Sequence, residues 1–292
     1  MRFPAIYAEA SRPVISFEVF PPRTEAGERH LAEALPLLRE LGPRFMTCTY
    51  GAGGSTRDKT LEVTTHLLRE LGLEAACHLT CVGSSRAELR ELLGRIRAAG
   101  IENVVALRGD PPAGETEFRP ALDGLAHANE LVSFIRSDPE TSHIGLAVAG
   151  YPETHTEAAS PQIDLEHLKR KVDAGADVVI TQLFFDNADF LSFRERARAA
   201  GIAVPIVPGL MPVQSAKQIQ RIAGMCGASI PDALRARLAE AGDDAEAVKD
   251  VGADYCLEQA RRLLEADVPG IHFYVLNTAR AMTRIMAGLG LA

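Results

Sequence analysis

The sequence predicts an α/β fold, a (β/α)8 TIM barrel with extra helices between strands 7 and 8. Three observations carry this. Eight short apolar, β-rich runs recur along 292 residues. Amphipathic helical patterns fill the gaps between them. The repeat averages roughly 36 residues, the size of one strand–helix unit. A doubly wound sheet would need fewer strands and a Gly-rich first turn, and no G-x-G-x-x-G follows any strand.

The runs are "VISFEVF" from Val14, "RFMTCTY" from Arg44, "EAACHLTC" from Glu74, "NVVALRG" from Asn103, "HIGLAVAG" from His143, "DVVITQLF" from Asp177, "VPIVPGL" from Val204 and "GIHFYVL" from Gly270. Each reads as a strand buried on both faces. Between them, "RHLAEALPLLRELG" places Leu31, Leu35, Leu38 and Leu41 at helical spacing and stops at Gly42. "TLEVTTHLLRELG", "RAELRELLGRIRAAG" and "IDLEHLKRKVDAGA" repeat the design and close on Gly. The long interval before the eighth run holds at least two helices more than one unit needs. The segment 231–266 is therefore expected to be a helical insertion, used in packing or in an oligomer contact, within a single catalytic barrel domain, 1–292. A homo-oligomer is expected.

Composition narrows the function. The chain is 47% hydrophobic and 24% charged, with a net charge of −8 and dispersed Lys and Arg. No basic run is interleaved with aromatics, so nucleic acid is not an expected partner. No apolar run approaches ~20 residues, so no membrane span is expected, and no secretory signal is read at the N-terminus. The five cysteines are odd in number and scattered, which suits a reduced, cytoplasmic protein. No metal-ligand spacing is present, so no metal is expected.

Such barrels work at the C-terminal ends of their strands. Those ends gather Glu18, Thr49 and Tyr50, His78 and Thr80, "RGD" at Arg108–Asp110, "GYPETH" at Gly150–His155, Thr181 and Gln182. Polar groups inside apolar strands are costly unless paired or used. Singly, Asp110 could cap a turn, His78 could be a satisfied core histidine and Gln182 a barrel-layer amide. Glu18, in the middle of "VISFEVFPPR", needs a partner or a raised pKa. Its apolar strand is expected to raise the pKa, so that the carboxyl can donate a proton near neutrality. No Ser or Cys sits beside a His–acid pair, so acyl transfer is weakly supported. The residues themselves give a barrel enzyme with a general acid and a bound organic cofactor.

The motifs "SFEVFPPR", "TCTYGAGGSTRDKT", "ALRGDPP", "AGYPETH", "LKRKVDAGADVVITQLFFD", "PGLMP" and "GIHFYVLN" together resemble methylenetetrahydrofolate reductase. They span all eight runs in order. The resemblance is to the short bacterial form, which lacks the S-adenosylmethionine-binding regulatory domain of longer relatives. It implies noncovalent FAD, NADH or NADPH as co-substrate, and ping-pong reduction of 5,10-methylenetetrahydrofolate to 5-methyltetrahydrofolate. Glu18 would be the general acid at N10. Asp110 would stabilise the iminium cation, contact the flavin and tune it. Gln182, Gln218, Thr49 and Arg280 would contact folate or nicotinamide. FAD would meet Tyr50, Ala52, His78, Arg108, Gly109, Ala128, Tyr151, His155, Ala158, Asp164, His167, Arg170 and Lys171.

Three positions depart from the family. Ile222 stands where an aromatic gate is expected, Thr278 where an arginine contacts folate, and His167 where an asparagine meets FAD. Two other readings remain: a flavin-free pterin-binding barrel in folate-dependent methyl transfer, and a non-catalytic folate-binding protein.

Overall fold

The computed structural model describes residues 1–50, 56–111, 114–115 and 118–291. Eight strands form a closed barrel in chain order. They are β1 (Val14–Val19), β2 (Phe45–Cys48), β3 (Ala75–Thr80), β4 (Asn103–Leu107), β5 (Gly145–Gly150), β6 (Val178–Leu183), β7 (Ile206–Leu210) and β8 (Gly270–Tyr274). Every neighbouring pair is parallel, including β8 with β1. Both strand faces are covered, which is why the strands read as near-continuous apolar runs.

The described helices are α1 (Phe3–Ala8), α2 (Glu25–Glu40), α3 (Arg57–Arg69), α4 (Arg86–Ala98), α5 (Ala128–Ser137), α6 (Pro161–Asp173), α7 (Asn187–Ala199), α8 (Ala216–Cys226), α9 (Asp232–Ala241), α10 (Ala245–Glu265) and α11 (Arg280–Leu289). Their ends follow from local chemistry. Thr24, Ser85, Ser160 and Ser215 cap α2, α4, α6 and α8 by accepting a backbone N–H. Each such cap contributes about 1 kcal/mol. The expected stops at Gly42, Gly72, Gly100 and Gly175 all have positive φ, the left-handed turn that ends a helix.

The apolar core has two shells in and around the barrel, and a third cluster packs α8, α9 and α10 beside β6. The larger lies between strands and helices, with Phe17, Val19, Leu38, Leu67, Leu89 and Phe190 among its members. The smaller fills the lower barrel interior with Val14, Phe45, Ala76, Val105, Ala147, Val178, Ile180 and Val207. Phe3 and Ile6 of α1 close it from below. The sequence reading did not anticipate α1. Its backbone is tied in by Asn103, whose Oδ1 accepts from Phe3 N at 2.8 Å and whose Nδ2 donates to Met1 O at 2.9 Å.

Between β7 and β8 stand α8, α9 and α10, two helices more than one unit uses, as the length of that interval predicts. The long α10 is held to the barrel by polar contacts as well as packing. Tyr255 Oη donates to Phe185 O at 2.7 Å, and Asn187 Nδ2 donates to Gln259 O at 3.0 Å. No described helix is long and apolar enough to cross a membrane.

Candidate active site

Strand alternation and register decide what points into the upper barrel. Glu18 is level with Thr47 on one side and Tyr274 on the other; Ser16 is level with His272. These residues, with His78, replace the apolar filling of the lower interior by a polar layer. Ser16 and His272 are fully buried, and Glu18 is 6% exposed.

One oxygen of Glu18 is the focus. Thr47 Oγ1 donates to Glu18 Oε2 at 3.0 Å. His272 Nε2 is hydrogen-bonded to the same oxygen at 3.1 Å. His78 Nε2 lies 3.1 Å from it, but out of line for a hydrogen bond. The other nitrogen of His272, Nδ1, is 2.8 Å from Ser16 Oγ. Phe45 stacks on the His272 ring and Tyr274 meets it edge-on.

This arrangement corrects the expected pKa of Glu18. Burial does push its carboxyl upward, but the charge of the His78 and His272 imidazoles beside it, with the hydrogen bond from His272, outweighs burial. They hold the group well below the ordinary carboxylate range. The surrounding strand is apolar in sequence, yet the groups brought by β2, β3 and β8 are polar.

Tyr274 extends the layer. Its hydroxyl donates to Thr181 O at 2.7 Å. The bond depends on Gly209, where an added Cβ would stand 2.2 Å from Thr181 O and 2.8 Å from the Tyr274 ring. Burial keeps the Tyr274 phenol well above its usual pKa.

A cavity of about 350 Å³ lies at the C-terminal ends of β4 and β5, between the starts of α5 and α6. Eleven of the fourteen expected cofactor positions line it: Arg108, Gly109, Asp110, Ala128, Tyr151, His155, Ala158, Asp164, His167, Arg170 and Lys171. Gly109 has φ 90°, and a Cβ there would stand 2.7 Å from Val82 Cγ1, so a side chain is excluded. Asp164 Oδ2 accepts from His155 N at 3.1 Å, fixing the "PETH" loop. Lys171 Nζ donates to Ala149 O at 2.6 Å and lies over the Tyr151 ring. Burial lowers the Lys171 pKa to about 8. Burial also lowers the His155 pKa. Arg108 is gripped bidentately by Glu157, at 2.5 and 2.7 Å, and its guanidinium covers Phe118.

The other expected residues are distributed around the mouth. Tyr50 and Thr49 follow β2, and Thr49 O accepts from Thr60 Oγ1 at 2.8 Å. Gln182 faces the mouth from β6, its Oε1 accepting from Leu183 N at 2.9 Å. Gln218 stands in the first turn of α8. Ile222 is half-buried in the cluster around α8 and α9. Thr278 N donates to Val275 O just before α11. Arg280, the first residue of α11, is bound to Glu246 and Asp250 of α10 rather than presented to the barrel axis. Ala52 lies outside the described residues.

Sequence reasoning passed over Ser16, Thr47, His272, Tyr274 and Glu157. For the first four the available signal was period two. Ser16 and Glu18 share a face of β1, and His272 and Tyr274 share a face of β8. Nothing in the sequence paired Arg108 with Glu157.

The residues also suit an anionic organic group. Arg108, Arg170, Lys171, His155 and His167 surround the cavity. At the mouth, Thr80 Oγ1 is buried without a hydrogen-bond partner among the described residues. Buried polar atoms are normally satisfied, so this hydroxyl fits a polar ligand. Fold and site together define a (β/α)8-barrel protein with an acid–imidazole cluster on its axis and an organic-ligand cavity at its C-terminal mouth.

Comparison with known proteins then specifies the family. The sequence model described as methylenetetrahydrofolate reductase matches residues 4–290. The 5,10-methylenetetrahydrofolate reductases of Escherichia coli and Salmonella typhimurium are each 41% identical over 276 residues, covering 94% of this chain and 90% of theirs. The methylenetetrahydrofolate reductase (NADH) 1 of Arabidopsis thaliana is 42% identical over 97% of this chain. The chain spans about half, 49%, of that plant protein's length. Among solved structures, a Clostridium thermocellum protein described as binding two copies of 5-methyl-5,6,7,8-tetrahydrofolic acid superposes with a TM-score of 0.65. It is 18% identical, covers 97% of this chain and 95% of its own, and shows the shared fold. This chain belongs to the methylenetetrahydrofolate reductase family.

Proposed function

We propose that the protein reduces 5,10-methylenetetrahydrofolate to 5-methyltetrahydrofolate with NADH or NADPH as electron donor and FAD bound noncovalently. The observation that carries this is a buried acid cluster at the mouth of a barrel whose neighbouring cavity gathers eleven expected cofactor positions. When bound, FAD would supply a two-electron carrier that serves the two substrates in turn. Arg170 and Lys171 would meet its phosphates as charge-assisted donors. Tyr50, His78, Arg108, Gly109, Ala128, Tyr151, His155, Ala158, Asp164 and His167 would complete the site.

Glu18 acts as general acid. It protonates N10 of the folate, the C–N10 bond breaks, and the ring opens to the 5-iminium cation. Asp110, exposed at the end of β4, supplies a negative charge toward that cation and toward the pterin. Gln182 and Gln218 orient the folate, and Thr49 the nicotinamide. Arg280 reaches a folate carboxylate only by exchanging Glu246 and Asp250 for it.

Anaerobic stopped flow on the purified protein tests this directly. A visible flavin absorption band is expected, bleached by NADH or NADPH and restored by methylenetetrahydrofolate. A colourless protein that binds folate without this exchange would favour the flavin-free pterin-binding alternative.

A further inference from the structure

We propose that His272, seated on Ser16, is the positioning residue that holds the proton Glu18 delivers to the folate. This rests on the general-acid role of Glu18 given above.

The observation behind it is a conflict. A general acid must carry a proton, yet Glu18 Oε2 accepts from Thr47 and is hydrogen-bonded to His272. Those bonds favour the carboxylate. The conflict disappears when Glu18 and His272 are treated as one titrating pair. A carboxylate beside an imidazolium differs from a carboxylic acid beside a neutral imidazole by the position of one proton on one hydrogen bond. The lowered pKa of Glu18 therefore belongs to the pair rather than to the carboxyl alone, and the proton to be delivered can sit on the imidazole side of the shared hydrogen bond.

Ser16 is what makes the pair usable. His272 is fully buried, so both ring nitrogens need partners in every protonation state. A carbonyl or carboxylate on Nδ1 could only accept and would fix one form. A hydroxyl both donates and accepts. It accepts from Nδ1–H when the ring is cationic, and donates to Nδ1 when the proton sits on Nε2. The ring can change charge without moving.

The step balances. Glu18 gives its proton to N10 and becomes a carboxylate. The neutral ring facing a carboxylate holds its proton on Nε2, with Ser16 donating to Nδ1; one solvent proton then loads Nδ1, Ser16 turns to accept it, and His272 carries protons on both nitrogens. Its Nε2 proton passes to Glu18, the Nε2–H bond breaks as the O–H bond forms, and His272 is left neutral with Nδ1–H on Ser16.

The surroundings leave few rivals. Among the described residues, Glu18 on β1 and Tyr274 on β8 meet this ring, and His78 on β3 meets Glu18. The strand β2 presents Phe45 and Thr47, and β7 presents Gly209 level with the ring. The Tyr274 phenol is spent on Thr181 O. His78 approaches Glu18 out of line.

The test combines two readouts on wild type and Ser16→Ala. The first is the pH profile of the folate half-reaction beside that of flavin reduction by NAD(P)H. The second is nitrogen-15 NMR of histidine-labelled protein, with His272 assigned from His272→Gln. An unpartnered buried Nδ1–H disfavours the imidazolium. Ser16→Ala is therefore expected to move the alkaline limb of the folate step down by about one pH unit, about tenfold in rate on that limb. The change in His272 ring charge should move with it, and flavin reduction should be unaffected. A His272 that keeps one protonation state across that limb would overturn the proposal, as would a limb unmoved by Ser16→Ala. A wild-type protein inert toward folate would sink the proposed function instead, and the nitrogen spectra would then decide the proton-holding pair on their own.

Discussion

Glu18 is a group whose neighbours, not its strand, set its chemistry. Replacing it with Gln keeps the shape and removes the transferable proton. Glu18→Gln is expected to leave flavin reduction by NAD(P)H intact and to slow methylenetetrahydrofolate reduction roughly 10²–10⁴-fold. Stopped flow of the separate half-reactions checks this; loss of both would place Glu18 in cofactor binding instead. Lys171 makes a complementary prediction. Its pKa falls from the ordinary lysine value to about 8 in the folded protein. Between about 8 and the unfolded value near 10.4, the unfolded chain binds more protons than the folded one, so stability rises with pH across that window. Below pH 8 the buried ammonium costs stability. Lys171→Met is accordingly expected to raise the unfolding midpoint of the cofactor-free protein at pH 7 and to flatten its rise above pH 8. On the proposed function the same change should also weaken FAD binding, measured by flavin fluorescence, because the proposed phosphate donor is gone.

At the scale of elements, the last strand and the first are sewn together at the mouth. Asn277, two residues past Val275, donates from Nδ2 to Phe20 O at 2.9 Å and accepts from Phe20 N at 2.8 Å. It does so from a left-handed conformation, φ 56°, which Asn tolerates better than most residues. Asn277→Ala should therefore cost about 2 kcal/mol, part from the two hydrogen bonds and part from the backbone. Asn277→Gly should recover only the backbone part. Urea unfolding of the three proteins separates the two contributions. This contact also shows where sequence reasoning reached and where it stopped. The eight strands and the Gly-terminated helices could be read because double-sided burial and capping leave local marks, such as the leucine spacing before Gly42. The mouth residues could be gathered because the fold puts strand ends together. The partners of Glu18 could not. Thr47 is 29 positions away and His272 is 254, and their convergence on one oxygen exists only after the barrel closes. The strand's apolar neighbours therefore suggested a raised pKa, and strands that arrive later in the chain reverse it. The ion pairs of Arg280 were hidden for a similar reason: its acidic partners lie on an inserted helix whose docking no local pattern records.

For the whole molecule, closure matters at both ends of the barrel. The lower end is sealed by α1, with Phe3 fully buried and edge-on to Phe45 at 5.2 Å. Phe3→Ala is expected to cost about 3–5 kcal/mol through lost burial and the cavity left behind. It should leave the folate and NAD(P)H half-reactions near wild-type rates at temperatures where the protein is folded. A thermal melt paired with stopped flow checks both halves; a folded but inactive Phe3→Ala would mean that the lower plug shapes the mouth.

The interior is stacked, with an apolar plug beneath and a hydrogen-bonded storey above. That stacking gives the chain two nearly independent ledgers of tolerated change. On the proposed function, substitutions at the mouth, such as threonine at 278 and histidine at 167, would retune which molecules are accepted without drawing on the apolar plug that closes the lower barrel. Changes below can alter heat resistance without altering the reaction. A lineage built this way can adjust to a new temperature and to a new electron donor in separate steps, in either order.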